Sequence, residues 1–525
     1  MTKKEPFGAL FVILSPMEYH HLEPVIGLEI HVQLKTRTKL FSPVDNHAEG
    51  AAPNTLVSAI DVGHPGTLPQ LNAEALRFAV RIGLALGCRI KTPTFFDRKH
   101  YLYPDLPKGY QISQFDVPVA VDGVLTVEHP EDPEQSFAVR IERAHLEEDA
   151  AKNVHRNGKT LVDFNRAGTP LVEMVTRPDL RSPQQAKLFL QELRRLLRFL
   201  GVSDADMEKG HMRCDANVSL RPVDKDGRAV EQEFYPKTEV KNMNSFKSVE
   251  RALEFEIARQ GDLWKTNSPP SITTTRGWDD EQQVTELQRT KEAAADYRFM
   301  REPDLPPVDL AAFIESEQRA LPELPAARRG RFRDEYGFGE HEVWTLTDDP
   351  AIADFSERVM SELYAWIAAH PDVNTTEQDV STFFKRPFGK LAGPWIATKL
   401  LGALRARSSD IRICHVTPED MAELLALLYR KEITATNGLQ VLEKMLDEGD
   451  SPAHVIATLG LKTINDMETL GAVIDLVLAR HPKEVEAYRA GKKTLLQFFV
   501  GMVQKETQGQ ANPQKTKELL ETRLA

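Results

Sequence analysis

Cysteine is scarce: Cys88, Cys214 and Cys414 are the three in 525 residues, widely separated and odd in number. That count argues against a disulfide framework and fits a reducing, cytoplasmic compartment. No apolar run approaches the roughly 20 residues that span a bilayer, so no membrane partner is expected. An excess of basic residues is also missing, since 66 Lys and Arg stand against 78 Asp and Glu for a net charge of -12. A general nucleic-acid binder is thereby disfavoured, while a local basic patch stays compatible, because only surface within a Debye length of a phosphate matters. Several motifs are absent as well: GxxxxGKS/T, HExxH, any CxxC pair and any Gly-Ser-rich amidase signature. Gly337-Phe338-Gly339 lacks both the third glycine of GxGxxG and a preceding strand pattern. Any ATP site must therefore be of a non-P-loop kind, and no nucleophile for glutamine hydrolysis can be named.

What is present is ordinary for a soluble globular protein, with 41% hydrophobic and 27% charged residues. The length suggests about three domains. Residues 1–22 hold two lysines and then FGALFVIL without a clear small-residue cleavage site, and Met17 offers an alternative start. This extension is expected to lie outside the fold.

The chemistry concentrates between Arg143 and Val175. RAHLEEDAAK and LVDFNRAGTPLVEMV place a histidine, Glu147, Glu148, Asp163, Arg166 and Glu173 among residues that otherwise read as short buried strands. In LVEMV the alternation puts Leu171, Glu173 and Val175 on one face. An ionised glutamate on an apolar face is costly unless a cation or a donor meets it. Upstream, VIGLEIHV sets Glu29 and His31 at i and i+2, again on one face. Three carboxylates and an imidazole on facing strands suit a divalent cation that holds phosphate oxygens. Each taken alone equally suits a hydrogen-bonded residue in a polar core.

From Pro24 to about Leu310, short β-like runs such as VIGLEIHVQL, SFAVRIERAHL, TLVDF, LVEMV, MRCDANVSLRPV and KTEVKNM predict a mixed or antiparallel sheet. Two helices interrupt them, one from about Ala73 to Leu86 and one from Ser182-Pro183 to Gly201. On the second, Leu190, Leu193, Leu197 and Leu200 form a core stripe, and Arg194, Arg195 and Arg198 read as a solvated face. The segment from Asp97 to Phe115 reads as a loop in which Arg98, Lys99, Tyr101, Tyr103, Lys108 and Tyr110 interleave cations with rings, a composition for phosphates and a stacked base. TTRGWDDE precedes a helix-like stretch, and proline-rich EPDLPP marks the end of the first domain. After residue 311 the pattern turns helical, becoming a packed array of small helices with a soft boundary near Asp450. The fold class is therefore α+β: a catalytic region at 23–310, a helical domain at 311–450 and a small helical tail at 451–525.

Taken together, VIGLEIHVQLKTRTKLFSP, DRKHYLYPDLPKGYQISQFD, HLEEDAAK, LVDFNRAGTPLVEMV, ADMEKGHMRCDANVSLRP, EVKNMNSF and EPDLPP resemble the B-subunit family of the tRNA-dependent aspartyl/glutamyl amidotransferases. The similarity runs from about Pro24 to the C-terminus and includes GKKTLLQFFVGMVQKETQGQANP. It implies a cradle-shaped catalytic domain, ATP and Mg²⁺ as cofactors, aminoacyl-tRNA as substrate, and two partners: an amidase (A) subunit that releases ammonia and a small C subunit. The implied reaction phosphorylates the side-chain carboxylate of Asp-tRNA(Asn) or Glu-tRNA(Gln), after which ammonia displaces phosphate. The family's metal ligands fall on Glu29, His31, Glu147 and Glu173, with Glu147 and Glu173 also catalytic. Lys99, Tyr101, Tyr103, Lys108, Arg213 and Asn217 are the expected nucleotide contacts, and Lys492, Lys493 and Lys505 the expected tRNA contacts. Many relatives carry four cysteines where this chain reads Ser42, Val44, Ser58 and Asp61, so no structural zinc is expected. Met300 and Arg301 depart from the family's usual tyrosine-phenylalanine-proline run. Two other readings compete: a tRNA-binding scaffold whose chemistry has lapsed, and a stand-alone ATP-dependent carboxylate ligase.

Overall fold

The computed structural model describes residues 21–230, 233–291, 297–369, 377–464 and 466–525. Residues 1–20 of the expected N-terminal extension lie outside these, while His21 and Leu22 already open the first strand, opposite Val223 and Pro222. The chain divides after Leu324 into two compact units.

The first unit carries fourteen strands: β1 (His21–Gln33), β2 (Arg89–Ile90), β3 (Asp97–His100), β4 (Tyr110–Ser113), β5 (Ala120–Val127), β6 (Phe137–Glu148), β7 (Lys152–Arg156), β8 (Lys159–Asp163), β9 (Pro170–Thr176), β10 (Met212–Val223), β11 (Thr238–Met243), β12 (Thr273–Asp279), β13 (Val284–Lys291) and β14 (Met300–Arg301) among the described residues. Nine form one sheet in the order β13-β12-β11-β10-β1-β9-β6-β5-β2, antiparallel except for the β11–β12 pair. The expected mixed sheet is thus present. A three-stranded sheet, β14-β3-β4, stands beside it.

Alternation of side chains decides the faces. On β1, Ile26, Leu28, Ile30 and Val32 are buried in the core, and Glu29 and His31 take the opposite face. On β10, Met212, Cys214, Ala216 and Val218 join that core while Arg213, Asp215 and Asn217 alternate with them. Helices α1 (Ala73–Ala85), α2 (Pro183–Phe199) and α3 (Phe246–Lys265) pack on the strands and supply the rest of the core. The caps that start them are as the sequence reads: Asn72 accepts from the amides of Glu74 and Ala75, and Ser182 accepts from Gln185 ahead of Pro183. The leucine stripe of α2 is buried. Its arginines differ from the solvated face expected: Arg194 lies over the Phe246 ring at 5.4 Å, and Arg195, 13% exposed, meets Glu192.

Three elements depart from the sequence reading. Helix α3 is not among the expected helices, because its buried face includes Glu256 and Gln260 among Val249, Ala252, Leu253 and Trp264, which interrupts the apolar stripe. The helix-like stretch after TTRGWDDE is instead β13, pairing with β12, since neighbouring-strand hydrogen bonds override the helix propensity of its Glu, Gln and Arg. The segment read as a loop from Asp97 contains β3 and β4. Past the proline-rich segment, α4 (Ala311–Ala320) packs on α1, where Arg81 Nε donates to Glu317 at 2.6 Å, so the unit extends to Leu324.

The second unit is helical: α5 (Pro325–Arg331), α6 (Glu340–Leu346), α7 (Pro350–Ala368), α8 (Glu377–Pro394), α9 (Leu401–Ala406), α10 (Pro418–Tyr429), α11 (Ala435–Glu448), α12 (Pro452–Leu459), α13 (Met467–Arg480), α14 (Pro482–Arg489), α15 (Leu495–Glu506) and α16 (Pro513–Leu524). Helix α12 packs against α10 and α11, and a separate small core of Leu470, Ile474, Phe499, Val503 and Leu520 begins with α13. No described helix is long and apolar enough to cross a membrane.

Candidate metal centre

Four strands run side by side in the order β10-β1-β9-β6, and their register arranges the polar face in rows. One row reads Arg213, His31, Glu173 and His145, and the next reads Asp215, Glu29, Val175 and Arg143. On the other side lie Gln33, Leu171 and Glu147. Glu173 therefore has an imidazole on each flank. His31 Nε2 is 3.4 Å and His145 Nε2 is 3.5 Å from the same oxygen, Glu173 Oε2. His31 Nε2 is also 3.3 Å from Glu147 Oε1, and a guanidinium nitrogen of Arg143 is 3.8 Å from Glu173 Oε1. Two three-residue groups with ligand atoms within 4.8 Å of one another result: Glu29, His31, Glu173 and His145, Glu147, Glu173.

The charges explain why the cluster suits a cation. Burial and the nearby Glu173 raise the Glu29 carboxyl above its ordinary value, with His31 offsetting only part. Burial alone would lower the His31 imidazole, yet hydrogen bonds to Glu147 and Glu173 carry it well above the usual range. Burial likewise opposes the Glu173 charge, but His145, His31 and Lys99 hold that carboxyl well below its ordinary value. His145, enclosed on all sides, is pushed down by burial against the pull of Glu173 and Glu147. Its Nδ1 is buried without a hydrogen-bond partner. Three carboxylates and two imidazoles thus converge, with Glu29 opposed by its carboxylate neighbour Glu173, a set that could hold a divalent ion.

The flanks are held in place by further ion pairs. Asp149 is fully enclosed; against that burial, Arg213 at 2.5 Å and Arg166 at 3.4 Å keep its carboxyl below the ordinary value. Lys241 bonds Asp215 and lies 3.1 Å from Glu239; burial works against its charge, but those carboxylates raise it to about 12. Lys108 is spent on Glu148 at 2.5 Å, and Asn217 lies between Gly27 and Glu239. Asp163 is outside the cluster, accepting from the amide of Asn54 in a neighbouring loop.

The structure thus brings Glu29, His31, Glu147 and Glu173 to one patch, with Arg213 and Asn217 on the adjoining strand. Lys99 reaches Glu173 electrostatically and Tyr101 is held near Glu147, whereas Tyr103 is 65% exposed. Lys492, Lys493 and Lys505 are exposed on the small C-terminal core, where Lys493 caps the Tyr488 ring at 4.1 Å. The expected ligand set omits His145, although RAHLEE repeats the i, i+2 spacing that singles out Glu29 and His31.

Residues 24–315 match the GatB/GatE catalytic domain, and residues 383–524 match the GatB domain. The chain belongs to this family. It is 42% identical, over 96% of both chains, to the B subunit of the aspartyl/glutamyl-tRNA(Asn/Gln) amidotransferase of Thermosynechococcus vestitus. The proteins of the same name from Salinibacter ruber (43%, covering 97% of this chain and 98% of the relative) and Thermomicrobium roseum (44%, 96% and 98%) are similar to the same extent. Within this family member, the loop with Ser42, Val44, Ser58 and Asp61 is organised around Lys39, fully buried, whose Nζ donates to Leu56 O at 2.7 Å and lies 3.5 Å from Asp61. Ser58 donates to Asp61 through both its amide and its hydroxyl. Gly168, at φ +84°, backs onto this pair, where an added Cβ would stand 2.9 Å from Asp61 Oδ1.

Proposed function

We propose that the chain is the B subunit of a tRNA-dependent amidotransferase, priming the side-chain carboxylate of Asp-tRNA(Asn), Glu-tRNA(Gln) or both with ATP and then passing it to ammonia. The observation that carries this reading is the pair of ligand groups sharing Glu173 on the polar face of the sheet, in a chain whose relatives bear that name. Glu29, His31, Glu147 and Glu173 would hold Mg²⁺, which supplies charge neutralisation for the transferring phosphoryl group. Arg213 and Asn217 would orient the triphosphate, which their position on the strand next to β1 supports, and Lys99, whose charge acts on Glu173, would meet phosphate charge. The substrate carboxylate oxygen bonds the γ-phosphorus as the bond to ADP breaks. Ammonia then attacks the acyl carbon, phosphate leaves with its oxygen, and one proton is lost. Activation is required because a bare carboxylate is a poor acceptor, whereas an acyl phosphate carries a good leaving group.

The ammonia would come from an amidase (A) subunit, with a small C subunit joining the pair, in the cytoplasm. Lys492, Lys493 and Lys505 are proposed to lie near tRNA phosphates. Lys39 paired with Asp61, in a loop without thiolates, supports a turn held by hydrogen bonds rather than by zinc.

The test is amidation of mischarged tRNA by the co-expressed complex, with and without ATP. Glu147→Gln should abolish ATP-dependent amidation while the partner's glutaminase activity persists. A complex that binds charged tRNA but consumes no ATP would refute the enzymatic reading in favour of a scaffold.

A further inference from the structure

Within the second unit, a cavity of about 300 Å³ opens between α8, the end of α10 and the starts of α11 and α16. Small-ligand sites begin at that size, running from roughly 300 to 1,000 Å³. Its walls are apolar: Leu391, Trp395, Leu428 and Ile433. Pro394 has no amide to donate, and past it α8 continues as a π-helical turn, Trp395–Leu400, that carries the indole wall. On α11, Gly438 allows two of these walls to close in, since an added Cβ would stand 2.9 Å from both Trp395 and Leu428.

Two polar groups of the lining are left unmatched. Lys431 is its one charged residue among those described, and there its ammonium meets no carboxylate but the neutral amide oxygen of Gln514, at 3.1 Å. The Lys431 backbone takes φ +59° where α10 ends, with its amide donating to Leu428 O and the Glu432 amide to Leu427 O. Glycine suits such a helix end, so a lysine there carries a conformational cost. Thr463 also lines the cavity, and its buried hydroxyl has no hydrogen-bond partner among the described residues. The polar groups beside these are already used. Thr434 Oγ1 donates to Gly509 O at 2.9 Å, and Asn512 Oδ1 accepts from the amides of Gln514 and Lys515.

We propose that this cavity binds a small organic acid with a ring-sized apolar body. The body fills the space between the Leu391, Trp395, Leu428 and Ile433 walls, and the carboxylate meets Lys431 Nζ, with the Thr463 hydroxyl as a second donor. The ligand class follows from what the protein leaves unmatched. Apolar walls alone would take a hydrocarbon, but an ammonium at the mouth selects an anion, because hydrogen bonds between charged partners are the stronger kind. A bare inorganic anion would leave the walls uncovered and would lose hydration that two donors do not replace. The cavity belongs to the second unit and the carboxylate cluster to the first, so this inference stands independently of the functional reading above. An occupant would tie α16, the last helix, to α8, α10 and α11.

The test is calorimetric titration of the full chain with 2-naphthoate and with its uncharged counterpart 2-naphthalenemethanol, together with hydrogen exchange. Wild type should bind the acid at least about tenfold more tightly than the alcohol. Lys431→Met should remove that preference, and Lys431→Arg should keep it. Lys431→Gly should lose it while raising the melting temperature, since glycine suits φ +59°, which separates loss of the charge from unfolding. Ala435→Trp, at an exposed position of the lining, should abolish binding of both probes. In wild type, 2-naphthoate should slow exchange of the amides at Thr463 and at the start of α16. A wild-type dissociation constant above about 1 mM for 2-naphthoate would overturn the proposal. So would binding that survives Ala435→Trp, an acid preference that survives Lys431→Met, or protection confined to other helices.

Discussion

Glu173→Gln is the substitution most informative about the site, because one oxygen of Glu173 meets both imidazoles and Glu173 belongs to both ligand groups. The side chain is nearly isosteric, so the strand keeps its packing while one buried charge disappears. A hydrogen bond to a charged group contributes about 1.5–3 kcal/mol. The contacts at 3.4 and 3.5 Å are long and share an acceptor, so together they are worth one such bond, and local stability should fall by about 2 kcal/mol. Cation affinity should fall by at least ~100-fold, the upper end of what loss of a mere supporting partner costs. At a Mg²⁺ concentration ~100 times Kd, wild type gains about 2.7 kcal/mol from binding, and a hundredfold weaker variant gains about 0.4 kcal/mol. Hydrogen exchange of the β1 and β9 amides, with and without Mg²⁺, reads this difference on the strands concerned. Undiminished Mg²⁺-dependent protection in Glu173→Gln would refute the assignment of this carboxylate to the cation.

Three other outcomes are expected. His145→Gln should lower Mg²⁺ affinity by about 10–100-fold with the fold retained, because the ring sets the orientation of Glu173; unchanged affinity by calorimetry would assign His145 to packing alone. Burial opposes the charge of His31, but its bonds to Glu147 and Glu173 raise its pKa, so its contribution to the fold is complete below the usual value of 6.5 and is lost as pH rises through the raised value. Mg²⁺ must displace that proton, so affinity should increase with pH and calorimetry in two buffers at pH 7 should register about one proton released; no release would refute this. Asp61→Asn leaves the buried Lys39 ammonium uncompensated and should cost about 3–5 kcal/mol, much of it regained in the double variant Lys39→Met with Asp61→Leu; equal thermal stability of single and double variants would show the pair is not coupled.

Much of the sheet is legible because its strands alternate strictly. LEIHV and MRCDANVSL show both faces in the sequence, and the caps at Asn72 and Ser182 mark α1 and α2. Legibility fails where long-range partners decide. Glu256 and Gln260 are acceptable on the buried face of α3 because Thr285 of β13 and Thr238 of β11 meet them, a fact with no local signature. The short strand β3 has polar residues on both faces and is fixed by β4 and β14, the latter about two hundred residues away. The same distance hides Tyr297, whose ring lies 5.1 Å from Lys99 Nζ, from a reading of the Lys99 segment. His145 is different, since its spacing from Glu147 stands in the sequence and would have sufficed to include the imidazole.

The site depends on register more than on any single side chain. Glu173 stands between His31 and His145 only because β9 pairs with β1 and β6 at Glu173↔His31 and Glu173↔His145. A slip of one residue on either side would turn Glu173 into the core and bring Met174 to the polar face, so the fully buried Met174 and Val172 resist it as strongly as the charged residues do. Neighbouring strands about 4.8 Å apart then set the ligand spacing without any loop having to be ordered. The apolar face therefore specifies the geometry that the polar face uses, and substitutions such as Met174→Asp should abolish cation binding through pairing rather than through the ligands themselves.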